Sequence, residues 1–349
     1  MDDRSFLEGL IRRPSPSGHE DEVAACLLAT LGGRGLRVGR DTVGNAWAEA
    51  GPERAERCIV LLGHMDTVAG DVPVRWEGDL LYGRGAVDAK GPLAAFAMAT
   101  LAAAPRLART RVRVVGAVEE ERESRGAHFL ATQPPPHCCI IGEPSGWQGI
   151  TLGYKGVLRL DYRHSQPSSH SAGQDPSAAE VAVAFWNEVA AFARAWSREK
   201  GPFRALDVNL RTIQTGSDGL ADWVQLAASL RLPPEMEPEA LRAHLRVWAN
   251  GAQVEFPYAE PPIETPKTSL LARLFLRAIR AQGEQPRFKL KTGTSDMNVV
   301  GPAWGCPIVA YGPGDSSLDH SPHEHISFSE FRRAVAVLTQ VLEALDAAA

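Results

Sequence analysis

The sequence predicts an α/β fold: a mixed twisted sheet flanked by helices, with a smaller α+β domain inserted into it. Residues 1 to about 151 alternate continuous apolar runs with helical stretches, which is typical of strands covered by helices. After residue 156 the order becomes β-α-β-β-α-β, which is typical of a compact ferredoxin-like domain. The chain of 349 residues is also longer than a single hydrophobic core usually supports. We therefore expect a larger domain in two parts, 1–153 and 264–349, interrupted by an insertion at 154–263.

The first part of the larger domain contains three predicted helices and three predicted strands. Apolar residues at helical spacing predict helices at 6–11 and 22–31, which a proline-rich and a glycine-rich segment end. A third helix is predicted at 92–101, because Pro92 suits a first helical turn. The apolar runs 58–63, 111–118 and 138–142 are predicted to be strands buried on both faces.

The insertion and the return to the larger domain have their own periodic segments. Within the insertion, strands are predicted at 157–162, 206–212, 224–232 and 254–256, and helices at 177–196 and 238–249. The proline-rich segment 260–266 is the predicted return linker. A helix at 268–282, a buried strand at 307–311 and a helix at 330–347 then complete the larger domain.

Composition and charge exclude several classes of function. The net charge is −5 without a long run of either sign, so we expect no nucleic-acid partner. The alanine-rich stretch at 94–104 is too short to span a bilayer, and the acidic N-terminus is not a signal peptide. Five cysteines lack paired spacing. We therefore expect a cytoplasmic protein without a membrane partner.

Cys138 and Cys139 suggest two interpretations. With His137 they could form a zinc site. However, neighbouring residues on a strand point to opposite faces, and the run that follows reads as a buried strand. We therefore favour two core cysteines.

Acidic and imidazole side chains follow the ends of all three early strands. His64 and Asp66 follow the first strand, Glu119 and Glu120 the second, and Glu143 the third. Functional sites of open α/β sheets lie at the carboxyl ends of strands. Because adjacent residues on an extended chain point opposite ways, one glutamate of the pair can bind a metal while the other faces a water molecule. This pattern predicts metal-assisted hydrolysis.

Other candidate ligands have alternative readings. Asp88, in a glycine-rich loop, suits either a bridge between two cations or a helix N-cap. Spacing alone does not choose among His320, His323 and His325. His170, in the insertion, reads as an ordinary loop histidine. The sequence has no nucleophile-elbow or phosphate-loop motif, which weakens serine-hydrolase and nucleotide-binding readings.

Taken together, these segments resemble the M20 family of dinuclear zinc peptidases and deacylases over nearly the whole chain. The matching segments are Pro14-Ser15-Pro16-Ser17-Gly18, Gly63-His64-Met65-Asp66-Thr67, Gly85-Ala86-Val87-Asp88-Ala89-Lys90-Gly91, Val118-Glu119-Glu120 with Ser124-Arg125-Gly126-Ala127, Gly142-Glu143-Pro144-Ser145, His170-Ser171 and Gly293-Thr294-Ser295-Asp296. The resemblance implies a zinc-exopeptidase type of fold with two Zn²⁺ ions per subunit, for which Co²⁺ can substitute.

The resemblance also implies a role for each matching residue. His64 and Glu120 would bind one zinc, Glu143 and a C-terminal histidine the other, and Asp88 would bridge them. Glu119 would be the general base that deprotonates the attacking water, and Asp66 would hold the ring of His64. In this family the C-terminal ligand precedes a glutamate by four positions, which selects His320, four residues before Glu324. No ligand is missing, which argues against a metal-free binding relative.

Further implications concern the insertion and the substrate. The family histidine that matches His170 reaches the active site of the dimer partner, which implies a homodimer. Arg231 would anchor a substrate carboxylate, although Ser229 stands where the family often has an acidic residue. The segment Gly293, Thr294 and Ser295 would also contact substrate. Glutamate at position 143 favours deacylase or carboxypeptidase chemistry.

A finer resemblance is to hydrolases that release lysine or ornithine from the amino-group carrier protein LysW. It involves 153–156, 291–298 and 316–320, and implies cleavage of an amide on the carrier's terminal glutamate, in lysine or arginine biosynthesis. Small N-acyl amino acids, such as acetylornithine or succinyl-diaminopimelate, and dipeptides are the alternative substrates. A carrier would require an open, basic approach. The candidate basic residues are Arg84, Lys90, Lys155, Arg231, Lys289 and Lys291.

Overall fold

The computed structural model describes residues 2–170 and 173–348, and the chain forms two compact units. Unit 1 comprises Met1–Gly153, Thr265–Leu290 and Ser295–Ala349. Unit 2 comprises Tyr154–Glu264 and the short segment Lys291–Thr294. From the sequence alone that short segment is assigned to the larger domain, because nothing in its composition distinguishes it from the residues that flank it.

The helices and strands of the described residues are as follows. The α-helices are α1 (Asp3–Ile11), α2 (Asp21–Gly32), α3 (Lys90–Ala103), α4 (Arg125–Ala131), α5 (Ala178–Ser197), α6 (Pro238–Trp248), α7 (Leu270–Ala281), α8 (Asp296–Trp304) and α9 (Phe328–Ala347). The strands are β1 (Arg37–Arg40), β2 (Ala46–Ala50), β3 (Arg57–His64), β4 (Arg75–Glu77), β5 (Leu80–Tyr82), β6 (Thr110–Ala117), β7 (Cys138–Ile141), β8 (Gly149–Tyr154), β9 (Gly156–Pro167), β10 (Asp207–Ser217), β11 (Ala221–Leu232), β12 (Gln253–Glu255), β13 (Ala259–Glu260), β14 (Ile263–Glu264), β15 (Arg287–Lys291), β16 (Ile308–Ala310) and β17 (His325–Ser327).

Unit 1 is built on a mixed sheet flanked by helices, which confirms the predicted fold class. The strand order is β1-β2-β6-β3-β7-β16-β8, with β15 beside β8. The central strands β6, β3, β7 and β16 are parallel, whereas β1 and β2 pair antiparallel at one edge. Continuous burial along the second half of β3 and along all of β7 accounts for their uninterrupted apolar sequences.

Helices α3 and α9 pack together and against the central strands. Side chains of α3 are buried around most of the helix, including Leu93, Phe96 and Met98. Such burial explains an apolar sequence without a polar face. A small sheet of order β17-β5-β4 joins the C-terminal segment to the residues before Asp88.

Unit 2 is an antiparallel sheet of order β10-β11-β9-β12 with two helices, the predicted ferredoxin-like arrangement. Its core is separate from that of unit 1. Tyr162 of β9 stacks on Phe185 of α5 with ring centroids 4.6 Å apart. Ser177 and Glu180 form a reciprocal capping box that begins α5. Within the described residues, we find no helix both long and apolar enough to pass through a membrane.

Candidate metal centre

Three neighbouring parallel strands bring their carboxyl ends to one edge of the unit 1 sheet. In the order β6-β3-β7, they end at Ala117, His64 and Ile141. The register pairs His64 with Ala117 and Leu62 with Ile141, so β3 and β6 end at the same level and β7 ends two residues earlier. The polar residues that follow therefore converge at this edge, as expected for an open α/β sheet.

The first group of potential metal ligands contains His64, Asp88 and Glu143, whose ligand atoms lie within 4.8 Å of one another. His64 Nε2 is 3.3 Å from Asp88 Oδ1 and 4.0 Å from Glu143 Oε1. His64 and Glu143 are buried. One imidazole nitrogen and two carboxylates thus face a common point.

The second group contains Asp88, Glu121 and His320. His320 Nε2 lies 3.0 Å from Asp88 Oδ2 and 3.0 Å from Glu121 Oε1. The two oxygens of Asp88 are therefore divided, Oδ1 beside His64 and Oδ2 beside His320. This division would let the Asp88 carboxylate bridge two cations.

The turn after β6 places three consecutive glutamates differently from the extended chain assumed in the sequence argument. Glu119 has a left-handed backbone, with φ of 59°. Its carboxylate pairs with Arg125 at 2.8 Å and belongs to none of the ligand groups found among the described residues. Glu120 forms a group with His64 and Glu121. Strand alternation does not apply beyond Ala117, because the chain turns there.

Consequently, the structure brings Glu121 into the centre, a residue that the sequence argument did not select. It places His64 both with Glu120, as the resemblance implies, and with Glu143, and it places Glu121 with His320. The sequence signal for Glu121 was its place as the third glutamate of the run. A turn directly after a strand can shift by one residue the position that faces the site.

Asp66 holds this turn in place. Its buried carboxylate accepts the main-chain N–H groups of Glu120 and Glu121 at 3.0 Å each, and the hydroxyl of Ser17 at 2.7 Å. His64 Nδ1 lies 3.0 Å from the main-chain carbonyl of Asp66 and 3.4 Å from its carboxylate. Asp66 thus orients His64 mainly through its backbone and the two glutamates through its side chain.

The electrostatics of the centre favour added positive charge. Burial, together with the nearby carboxylates of Glu143 and Asp296, raises the pKa of Glu120 well above its usual range. Burial also raises the pKa of Glu121. Hydrogen bonds to Asp88 and Glu121 raise the pKa of His320 to about 10. These groups therefore retain their protons because several carboxylates lie close together, and a bound cation would replace the protons.

The donor set also fits a pair of divalent cations. Each of the two main groups has one imidazole nitrogen and two carboxylate oxygens, with Asp88 counted in both. Three nitrogen and oxygen ligands that leave a position open are typical of catalytic zinc. Among the described residues, none of the three groups includes a cysteine, and Cys138 and Cys139 are buried on β7.

The predicted substrate residues have separate surroundings. Within unit 2, Arg231 donates to the hydroxyl of Thr294 at 3.1 Å, and no other heavy atom lies near the Cβ position of Gly293. Ser295 is buried, and its hydroxyl accepts the N–H of Met297 at the start of α8. The Ser295 hydroxyl therefore serves as an acceptor in the cap of α8, and its contact with substrate stays a prediction.

The remaining candidate histidines lie outside the three groups. His170 is exposed in the loop that follows β9 in unit 2, and its neighbour Ser171 lies outside the described residues. His325 stacks on Tyr82 with centroids 4.7 Å apart, and its Nδ1 is 2.7 Å from the carbonyl of His323. Of the three C-terminal histidines, the structure brings His320 to the ligand groups.

Comparison with known proteins gives consistent matches. A LysW-lysine hydrolase from Deinococcus radiodurans is 43% identical over 98% of this chain and 96% of its own. A putative LysW-lysine/LysW-ornithine hydrolase from Thermococcus kodakarensis is 40% identical over 98% of this chain and 92% of its own. The fold is similar to that of the M20 family metallo-carboxypeptidase Sso-CP2 from Sulfolobus solfataricus, with a TM-score of 0.79, 18% identity and coverage of 99% and 100%.

The model of peptidase family M20/M25/M40 matches residues 60–344. This range contains every residue of the three ligand groups. The chain is a hydrolase of amide bonds and belongs to the metal-dependent peptidase family M20/M25/M40.

Proposed function

We propose that this protein hydrolyses the amide that joins the α-amino group of lysine, or of ornithine, to the side-chain carboxylate of the terminal glutamate of a LysW-like carrier protein. This step would release the amino acid in lysine or arginine biosynthesis. The observation that carries the proposal is 43% identity to a LysW-lysine hydrolase over nearly the full length of both chains.

We assign the general base to Glu120. Its carboxylate shares a group with His64 and Glu121, and its backbone is fixed by Asp66. From there it would take a proton from the attacking water and pass it to the leaving amine. The family resemblance implies Glu119 as the base; the ion pair of Glu119 with Arg125 supports the assignment to Glu120 instead.

The cations would be two zinc ions per subunit, held by the two groups that share Asp88. His64, Asp88 and Glu143 would hold one, and Asp88, Glu121 and His320 the other. When bound, the cations would polarise the amide carbonyl and acidify the water. Asp66 would keep Glu120 and Glu121 aligned with His64 throughout the reaction.

Substrate recognition is assigned to Arg231 with Thr294 and Gly293. The hydrogen bond from Arg231 to Thr294 leaves other guanidinium N–H groups to bind a carboxylate in a bidentate manner. Gly293 offers backbone without a side chain above it. We exclude Ser295 from this set because its hydroxyl caps α8.

The proposal is tested by incubating the purified protein with lysine linked to the carrier and measuring free lysine by mass spectrometry. We expect stoichiometric release, its loss after chelation, and its recovery with Zn²⁺ or Co²⁺. Release that is unchanged after complete metal removal would contradict the metal assignment. Failure to release lysine with two metals bound would contradict the substrate assignment.

We further propose that the protein is a homodimer in which His170 of each subunit completes the site of the other. The support is the exposure of His170 in unit 2 and its position outside the ligand groups. A two-fold pair would place each insertion histidine in an equivalent position.

Mixed dimers test this arrangement. His170→Ala and Glu120→Gln subunits should each be inactive alone, and mixing them should restore part of the activity because one site then has both groups. The control is subunit exchange verified by native mass spectrometry. Verified exchange without any recovery of turnover would contradict shared sites.

A further inference from the structure

Glu324 lies outside the three ligand groups, yet it contacts the backbone that supports one of the ligands. Its side chain is fully buried. Glu324 Oε1 accepts the main-chain N–H groups of Val87 and Asp88, at 2.9 Å and 3.1 Å. Burying a carboxylate is costly unless such partners compensate it. The carboxylate therefore fixes the backbone from which the bridging Asp88 side chain extends.

The other oxygen of Glu324 joins the same segment through an arginine. Glu324 Oε2 accepts from Arg84 Nη1 at 2.8 Å. The Arg84 guanidinium also donates to the carbonyl of Ser321 at 3.3 Å, and the main-chain carbonyl of Glu324 accepts the N–H of Gly83 at 3.2 Å. The segments 83–88 and 320–324 are thus joined at several points. We call this set of contacts the Glu324 clasp.

The two segments of the clasp each supply a ligand to the second group. Asp88 Oδ2 and His320 Nε2 are 3.0 Å apart. His320 lies in an irregular turn, with a left-handed φ of 60°, and about half of its side chain is exposed. By contrast, His64 ends β3 and Glu143 follows β7 closely, so the sheet itself positions these ligands of the first group. The position of His320 relative to Asp88 therefore depends strongly on the Glu324 clasp. The position of His64 depends on it far less.

We propose that Glu324, with Arg84, is a positioning residue for the second cation: it sets the separation of Asp88 and His320 and so tunes metal affinity at the Asp88–Glu121–His320 group. This inference rests on the metal centre proposed above. Hydrogen-bonding partners behind metal ligands typically change metal affinity by about 10–100-fold when they are removed.

The test is a stepwise titration of metal-free protein with Zn²⁺ by calorimetry, and with Co²⁺ by visible absorption. Glu324→Gln keeps an acceptor for the two main-chain N–H groups but removes the charge that binds Arg84. We expect it to weaken the second binding event by about 10–100-fold and to change the first far less. Arg84→Gln is the second variant, which leaves Glu324 on the Val87 and Asp88 N–H groups. We expect the same selective loss, smaller in size.

The matched control is Asp346→Asn. Asp346 is also a buried carboxylate that accepts three main-chain N–H groups, those of Ala108, Arg109 and Thr110, but it lies outside the ligand groups. The Asp346→Asn substitution should lower the melting temperature of the metal-free protein. Both metal-binding events should stay as in the wild type. Equal weakening of both events by Glu324→Gln and Arg84→Gln, or no weakening, would overturn the inference. A wild-type protein that binds no second ion would overturn the metal centre as well.

Discussion

Three consecutive glutamates follow β6, and each has a different environment. Glu119 is paired with Arg125, Glu120 faces His64, and Glu121 contacts His320. Their roles differ because the left-handed backbone at Glu119 starts a turn that Asp66 then fixes through two N–H groups. The role of each glutamate therefore depends on the backbone φ angle of Glu119.

Substituting each glutamate by glutamine should separate these roles. Glu120→Gln should retain two metal ions and lower kcat by about 10²–10⁴-fold, because it removes the base and no ligand. Glu121→Gln should lose the ion of the His320 group. Metal content by atomic emission and kcat on the same samples provide the measurement.

Glu119→Gln is the matched control, with two ions and kcat within a few-fold of the wild type. It changes the same functional group one or two residues away, where the carboxylate binds Arg125. If Glu119→Gln abolished turnover while Glu120→Gln left it intact, the assignment of the base from the structure would fail.

At this scale the sequence predicted chemistry better than exact positions. The structure brings the side chains of His64, Asp88, Glu143 and His320 close together, and their roles as metal ligands stay predictions. His64 ends β3 and Glu143 lies two residues after β7, whereas hydrogen bonds to Glu324 join the loop of Asp88 to the segment that contains His320. Glu121 also reaches the ligand groups, which the sequence argument did not expect, because alternation holds only while the chain is extended.

At the scale of elements, the metal centre depends on how closely the strand ends approach one another. Gly142 lies between β7 and Glu143, and its N–H donates to Leu62 O at 2.7 Å. A Cβ at Gly142 would be 2.8 Å from the ring of Phe96 and 3.2 Å from Gly63 Cα. The close packing of β3, β7 and α3 therefore requires glycine at this position.

Gly142→Ala should lower the free energy of unfolding by about 1–3 kcal/mol, because the added methyl group overpacks the junction. It should also weaken the first metal-binding event, since Glu143 is the next residue. Chemical denaturation and Zn²⁺ titration would measure the two effects.

Gly201→Ala provides the comparison, because nothing lies within 4 Å of its Cβ position and its backbone is not left-handed. Its unfolding free energy should stay near that of the wild type. A Gly142→Ala protein as stable as Gly201→Ala would show that the strand ends tolerate a larger separation than the structure indicates.

Long helices with clear periodicity were predictable, whereas the short helices α4 and α8 were not. The amphipathic helices α5, α6 and α7 match their predicted ranges within a few residues, because each buries one face. The short α4 and α8 lack that signal: α8 is buried over most of its length and contains Pro302. Tertiary packing, rather than periodicity, specifies these two helices, and α8 also begins at a capping box of Ser295 and Asn298.

For the whole molecule, two separate cores explain why the pattern of predicted helices and strands changes near residue 154. Unit 1 gathers apolar residues from both parts of the interrupted chain, and unit 2 has its own core between one sheet face and two helices. The two buried lysines among the basic candidates, Lys90 and Lys155, cannot contribute to a docking surface, because Lys90 donates to the carbonyl of Arg13 and Lys155 pairs with Asp207. Burial of a lysine cannot be read from composition.

Recognition of a protein rather than a small molecule should make the reaction sensitive to salt. If the carrier is acidic, basic groups such as the partly buried Arg231 would accelerate its encounter with the enzyme, and ions would screen that attraction. A small acyl amino acid carries too few charges to depend on such an extended surface.

The central claim is therefore tested most directly by comparing kcat/KM for carrier-linked lysine, acetylornithine and succinyl-diaminopimelate at low and high ionic strength. Zinc-loaded wild-type protein should cleave carrier-linked lysine fastest, and that rate should fall as salt is added. Faster, salt-insensitive cleavage of either small substrate would contradict the carrier assignment, while leaving the family and its metal centre in place.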